Sequence, residues 1–302
     1  MKIAILGAGG VGGYYGGVLA RAGHQVSMLA RGAHLEALRE RGLEVRTPEE
    51  TFTVAVGASD DPRELGGNDY AIVGVKTYSL DEIAPAVRVA AAAGAVVLPL
   101  LNGVDAADRL IADGVPDERV LGGLTEISAV RSAPGVVERR SQFQRMVAGE
   151  RKGGTSERVE RIVSAFREAG VEARASEDIE ADLWRKLAFI APLAAACGLA
   201  RAPVGAVRKA PLGWLMIQRA VREVVAVAQA RGVALTAEDG EKILGFAEAL
   251  ADSLKPSLLV DLEAGRPTEI EDLSGAVSRF GRLAGVETPV HDVATAALGV
   301  GR

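Results

Sequence analysis

The sequence predicts an α/β protein: a doubly wound, largely parallel sheet over residues 1–176, followed by an all-α domain over 177–302. Three patterns carry this reading. Short apolar runs alternate with helical segments up to about residue 101, as in parallel sheets covered on both faces. A glycine-rich loop separates the first run from the first helix. Beyond Ser176 the apolar spacing is helical almost throughout.

Taken in order, Lys2–Leu6 (KIAIL) is a strand and Gly7-Ala8-Gly9-Gly10-Val11-Gly12 follows at once. Tyr14–Ala22 continues at helical spacing, Gly23-His24 ends it, and Gln25–Leu29 is the second strand. A helix over Ala33–Arg41 leads to extended runs at Leu43–Arg46 and Phe52–Val56. Asp69–Val75 is a strand with Lys76 at its C-terminal end, Ser79–Ala92 a helix, and Ala95–Leu101 a strand closed by Asn102-Gly103. From Arg119 to Ala148 the pieces are short and extended, with a turn at Ala133-Pro134-Gly135, and are expected to add antiparallel strands to the sheet edge. Ser156–Ala169 is a helix and Val171–Arg174 a last strand. The helical domain then comprises Ile179–Leu199, Ala210–Arg231, Ala237–Leu254, Glu269–Ala284 and Val290–Leu298.

The 302 residues, 48% hydrophobic and 25% charged, suffice for two globular domains. A net charge of −5, with Lys and Arg scattered, gives no general attraction to nucleic acid or anionic membranes. Cys197 stands alone and His24, His34 and His291 are far apart, which argues against disulfides and a metal site. The longest apolar stretch, Leu187–Ala200, falls short of the roughly 18 residues of a membrane span, and no leader is evident. A reducing cytoplasm fits these features, and the choice between monomer and homodimer is open.

The βαβ start has G-x-G-x-x-G in the position where it binds a dinucleotide. Gly7 permits the tight turn, Gly9 lets backbone approach a pyrophosphate, and Gly12 allows helix to pack on strand; Ala8, Gly10 and Val11 complete the cradle. The helix start adds free N–H groups and a positive dipole end. Where an NAD enzyme usually places an acid for the ribose hydroxyls, this chain has Ala30-Arg31. A guanidinium can fork onto a 2′-phosphate, so NADP(H) is expected over NAD(H), unless Arg31 is only a solvated charge. Gly7, Lys76 and Asn102 all fall at strand C-termini, where such sheets bind ligands; Lys76 and Asn102 also fit ordinary strand ends.

In the helical domain, Lys186 shares an apolar helix face with Leu183, Leu187, Ile190 and Ala194. Desolvated there, its pKa falls and it becomes a proton donor near neutral pH; equally, it can snorkel to the helix edge. Glu269 opens a helix in which Thr268 and Glu271 have capping-box spacing, so the helix dipole alone accounts for an acid there.

With these residues placed, the chain resembles the ketopantoate reductase (2-dehydropantoate 2-reductase) family over essentially its whole length. The likeness rests on GAGGVG at Gly7–Gly12, Arg31, Lys76, Asn102-Gly103, LWRKLA at Leu183–Ala188, Ser257 ahead of Asp261, and Thr268-Glu269-Ile270. It implies a Rossmann-type sheet with a helical domain of the 6-phosphogluconate dehydrogenase C-terminal type. It further implies reduction of a 2-oxo acid by NADPH, with 2-dehydropantoate going to pantoate in pantothenate synthesis. In that reading Lys186 protonates the forming alkoxide, Glu269 belongs to its network, and Ser257 binds substrate. Lys76, Asn102 and Ser128 contact the cofactor. The chain departs from the family where asparagines hold the substrate, having Ile190, Ala194 and Val204 instead. Ile190 and Ala194 are therefore expected to line the substrate site, with Arg201 or Arg208 holding the carboxylate. A bulkier apolar 2-oxo acid or ketone is the nearest alternative substrate. A module that senses NADPH without turnover is the alternative from another class, against which Lys186 and Glu269 both weigh.

Overall fold

A computed structural model describes residues 1–300, and the chain divides into two compact units. One comprises Met1–Leu101 and Asp105–Ile179; the other takes Asn102–Val104 together with the chain from Glu180 onward.

The first unit is built on five parallel strands, β1 (Lys2–Leu6), β2 (Gln25–Leu29), β5 (Gly57–Ser59), β6 (Tyr70–Val73) and β7 (Val96–Pro99), ordered β5-β2-β1-β6-β7. The central strands are apolar without alternation because both faces are covered. Tyr14, Val18 and Leu19 of α1 (Gly10–Arg21) and Ile162, Val163 and Phe166 of α5 (Glu157–Glu168) belong to one core with Ile3 and Ile5. The other core gathers Ala4 and Leu6 with Leu80 and Val87 of α3 (Leu80–Ala92) and Leu110 of α4 (Ala106–Ala112). Ser156, the first residue of the predicted helix, caps α5, its hydroxyl accepting from the Val159 N–H at 3.3 Å.

The segment 119–148 departs from expectation in part: the strands about Gly135 do not extend the parallel sheet edge. The strands β9 (Ala129–Ala133) and β10 (Val136–Arg139) form a hairpin about Gly135, and β10 runs parallel to β3 (Leu43–Arg46), which pairs with β4 (Thr51–Val54). The result is a separate four-stranded sheet. The strands β8 (Gly122–Glu126), β11 (Arg145–Gly149) and β12 (Glu172–Ser176) form a third sheet. An isolated bridge between Val97 and Val120 links this region to β7.

The reason lies in α1. Any Cβ at Gly12 or Gly16 would press on Ile5, and one at Gly16 also on Met28, both in the parallel sheet. A Cβ at Gly10, Gly13 or Gly17 would meet Ala129, Val137 or Val45, which lie in the four-stranded sheet. Two glycine stripes thus let α1 pack closely between two sheets. The helix following α1 and β2 is α2 (Gly32–Arg41), whose His34 accepts from the Gly135 N–H at 2.9 Å and ties down the β9–β10 turn.

The second unit is helical: α6 (Ile179–Ala200), α7 (Val204–Lys209), α8 (Gly213–Ala230), α9 (Ala237–Glu248), α10 (Ser257–Glu263), α11 (Ser274–Ala284) and α12 (Pro289–Gly299). With 22 residues, α6 is longer than the apolar run in the sequence and is long and apolar enough to cross a membrane; most of it is buried in the fold. Trp184, Leu187, Ala191 and Ala195 of α6 share one core with Ile217, Val224, Leu244, Leu259 and Val277. Two helices, α7 and α10, were not expected, and the predicted helix from Ala237 stops at Glu248 rather than Leu254.

Arg208 explains part of this. Its Nη1 donates to the carbonyls of Glu248 at 2.6 Å and Leu250 at 3.0 Å, while its Nη2 engages Asp252. The guanidinium therefore satisfies carbonyls exposed at the end of α9. At the start of α12, Glu223 plays the reciprocal part, its buried carboxylate accepting from the N–H groups of Val290 at 3.0 Å and His291 at 3.1 Å.

Candidate active site

In the first unit, Gly7 ends β1 at φ +105°, a left-handed conformation that favours glycine. A Cβ there would strike Val75, the residue before Lys76, so the loop after β6 lies directly against the glycine loop. Gly74 makes the approach closer still: its Cβ would stand 2.9 Å from both Cα and N of Gly12. The sequence reading passed over Gly74, although a glycine at the end of an apolar strand was a usable signal. Above Gly9 the space is open, the nearest atom to its Cβ being the Gly74 carbonyl at 4.0 Å. The α1 N-terminus follows immediately, with no acidic residue in its first turn. This cradle fits a pyrophosphate. Gly74→Val is expected to destabilise the unit by about 1–3 kcal/mol and weaken dinucleotide binding together, as read by thermal unfolding and fluorescence titration.

Ser128 is exposed beside this helix start, since its neighbour Ala129 is what a Cβ at Gly10 would strike. Its backbone is held at both ends, the N–H donating to Ser141 Oγ at 3.0 Å and the carbonyl accepting from the Arg140 N–H at 2.7 Å. Lys76 is half-buried and precedes the short turn of 3₁₀ helix that leads into α3. Arg31, at the end of the β2 segment, is exposed and its Nη1 donates to Glu82 Oε1 at 2.7 Å.

In the second unit three side chains from separate segments form one hydrogen-bonded chain. Lys186 Nζ, on α6, donates to Asn102 Oδ1 at 2.9 Å. Asn102 Nδ2 donates to Glu269 Oε2 at 3.0 Å. An ammonium only donates and a carboxylate only accepts, so the two charges force the amide orientation. Residues 102–104 group with the helices, and Val104 packs against their core, which anchors Asn102 there.

Glu269 does not open a helix, contrary to expectation. Its carbonyl accepts from the N–H groups of Asp272 at 3.1 Å and Leu273 at 3.0 Å, a pair of turns, and α11 begins at Ser274. The capping-box reading of Thr268 and Glu271 fails with it. What occupies the Glu269 carboxylate is Asn102, and the residue is 4% exposed. The sequence reading placed Glu269 in the network of Lys186 but assigned Asn102 to the cofactor, so the amide that bridges the two was missed.

The remaining residues are not gathered in the same way. Ile190 is half-buried, one turn beyond Lys186 on α6, whereas Ala194 and Val204 are 2% and 0% exposed in the core. Ala194 therefore serves core packing rather than an open wall. Ser257 is the exposed first residue of α10. Arg208 is committed to the α9 terminus, as described, while Arg201 is exposed and takes φ +51° beyond α6. Among the described residues no group of three or more His, Cys, Asp or Glu is placed to hold a metal.

A dinucleotide-binding parallel sheet followed by a helical unit that presents lysine, amide and carboxylate in series defines an oxidoreductase of the two-domain reductase class. Residues 3–153 match the ketopantoate reductase PanE/ApbA family model and residues 178–300 the model of that family's C-terminal domain. The chain belongs to the ketopantoate reductase family. It is 33% identical to the 2-dehydropantoate 2-reductase of Halobacterium salinarum over 96% of this chain and 95% of that protein. It is 30% identical to the uncharacterized oxidoreductase YkpB of Bacillus subtilis over 99% of this chain and 98% of that one. The crystal structure of 2-dehydropantoate 2-reductase from Geobacter metallireducens superposes with a TM-score of 0.91 at 30% identity, covering 99% of each chain.

Proposed function

We propose that this chain reduces a 2-oxo acid to a 2-hydroxy acid with NADPH, and that the acid is 2-dehydropantoate, reduced to pantoate for pantothenate synthesis. The observation that carries the reading is the Lys186–Asn102–Glu269 chain. Residues Gly7–Gly12 and the α1 N-terminus would hold the pyrophosphate, with Lys76 and Ser128 beside them and Arg31 at the 2′-phosphate. Bound there, the reduced nicotinamide supplies the hydride.

The protein's task is then to handle the charge that appears on the substrate oxygen. Lys186 is the group suited to it, a cation that both stabilises the oxygen and donates a proton to it from Nζ. Asn102 accepts one of the three ammonium N–H groups and so directs the other two. Glu269, by accepting from the far side of the amide, prevents Asn102 from rotating. Ser257 contributes a hydroxyl for the substrate, and Arg201 is the better candidate for its carboxylate, since Arg208 is engaged elsewhere.

Ile190 favours a second reading. Of the three positions where the family carries asparagine, it alone retains exposed surface, and an isoleucine suits a bulkier apolar 2-oxo acid. Oxidation of NADPH by purified protein with 2-dehydropantoate and a panel of larger 2-oxo acids tests both. Turnover of 2-dehydropantoate with a KM below about 1 mM supports the first. Efficient turnover of the larger acids alone replaces it with the second, and tight NADPH binding with no turnover of any acid refutes both. A cytoplasmic setting goes with this role, as does Cys197, a buried thiol whose pKa burial raises to about 11.

A further inference from the structure

We infer that Glu82 is a specificity-determining residue that sets how strongly the protein prefers NADPH over NADH, acting through Arg31. The inference rests on the proposed role of Arg31 at the 2′-phosphate. The β2 end lacks the acid that NAD enzymes of this fold place there, having Ala30-Arg31. The fold returns a carboxylate to the same place from a distant segment: Glu82, in the first turn of α3, lies 2.7 Å from Arg31 Nη1. The adenosine end of the site therefore carries both the cation that selects a 2′-phosphate and the anion that opposes it.

Helix capping does not account for this placement. Acids in a first turn favour a helix, and both Asp81 and Glu82 meet that need. Asp81 turns to Arg109, on α4, at 2.8 Å, while Glu82 alone of the two engages Arg31. The Arg31 and Glu82 side chains are 68% and 67% exposed, so the pair is weak and can open without structural cost. Two effects of Glu82 then compete. Holding the guanidinium in position aids any anion slightly, whereas a carboxylate within a few ångströms of a phosphate dianion repels it and occupies its partner. Ordering one exposed arginine is worth less than removing a charge from direct contact with it, so repulsion dominates. A 2′-hydroxyl has the opposite interest, because Glu82 can accept from it. Glu82 accordingly narrows the gap between the two cofactors.

Dissociation constants of NADPH and NADH, measured by fluorescence titration of the full-length protein at low and high salt, test the inference. Glu82→Gln is expected to tighten NADPH about fivefold at low salt and leave NADH unchanged or weaker, raising the preference for NADPH about five- to tenfold. The gain should shrink at high salt, because the groups are exposed. A preference that stays constant within about twofold, with only the melting temperature lowered, would show Glu82 to be a surface tie between α2 and α3 and overturn the inference. Weaker NADPH binding in Glu82→Gln would overturn it too, by showing that positioning outweighs repulsion. Arg31→Ala separates this outcome from failure of the underlying reading. If Arg31→Ala weakens NADPH much more than NADH while Glu82→Gln changes neither, the role of Arg31 stands and that of Glu82 falls. If Arg31→Ala weakens both cofactors equally, the 2′-phosphate contact itself is refuted.

Discussion

Lys186→Ala is expected to lower kcat by roughly a hundredfold or more while leaving NADPH binding close to that of the unaltered protein. Lys186 belongs to the helical unit, whereas the glycine loop that would hold the pyrophosphate belongs to the first, so cofactor affinity and proton donation should separate in the measurements. Lys186→Arg tells charge from proton. A guanidinium stays protonated near neutral pH and cannot give its proton up readily, so this variant should retain substrate affinity yet remain at least about tenfold slow. Asn102→Leu removes both hydrogen bonds at once and leaves the 4%-exposed Glu269 without that donor. Its kcat should fall by about tenfold or more, with the protein less stable, because a buried carboxylate loses a partner. Steady-state kinetics and NADPH titration of the three variants check the scheme. An unchanged kcat in Lys186→Ala removes the lysine as proton donor, whatever the other variants show.

The parallel sheet was legible because its strands are short, apolar and separated by helices of the right length. Lys2–Leu6, Gln25–Leu29 and the strand leading to Lys76 stand within a few residues of where the periodicity puts them. The hairpin about Gly135 was legible too, since a Pro-Gly turn announces itself locally. Its destination was not. Whether β10 joins the edge of the first sheet or covers the opposite face of α1 depends on the five glycines at 10, 12, 13, 16 and 17, which read locally as a cofactor loop and a weak helix. Their second meaning, two stripes for two sheets, emerges only when both sheets are in place.

The site divides along the same line. Lys186 and Asn102 could be singled out because a polar residue on an apolar face or at a strand end is locally anomalous. Glu269 was found through a wrong local structure: spacing suggested a helix start, whereas a half-buried partner 167 positions away holds the carboxylate. Ala194 shows the reverse error, since its match to a family asparagine position, on the helix face it shares with Lys186, gave it a place in the site that burial denies. Spacing along a helix locates a face but does not tell how far along it the core closes.

Acid should destabilise the helical unit through His291, and removing that histidine should remove the effect. The imidazole is fully buried, Nδ1 lying 3.1 Å from Ser274 Oγ and Nε2 3.1 Å from the Ala220 carbonyl, and desolvation lowers its pKa from 6.5 to about 4. Above pH 6.5 the ring is neutral folded and unfolded, and it adds no pH dependence. Between pH 6.5 and about 4 the unfolded chain takes up a proton that the folded chain refuses, so stability falls as pH falls. The full loss is about 3 kcal/mol, reached below pH 4. Neighbouring Glu223 acts in the opposite direction. Burial raises its carboxyl pKa, so its contribution to stability grows as pH drops toward the unfolded value. His34, whose pKa burial also lowers, adds to the acid effect from the first unit. Comparison with His291→Gln isolates the one residue, because Glu223 and His34 are common to both proteins. The stability difference between them, from urea unfolding at pH 7.5 and pH 4.5, should narrow by about 2.5 kcal/mol at the lower pH, most of the full loss. A difference that is the same at both pH values would mean that His291 is protonated equally in the folded and unfolded chains, and that its hydrogen bonds to Ser274 and Ala220 carry no charge linkage.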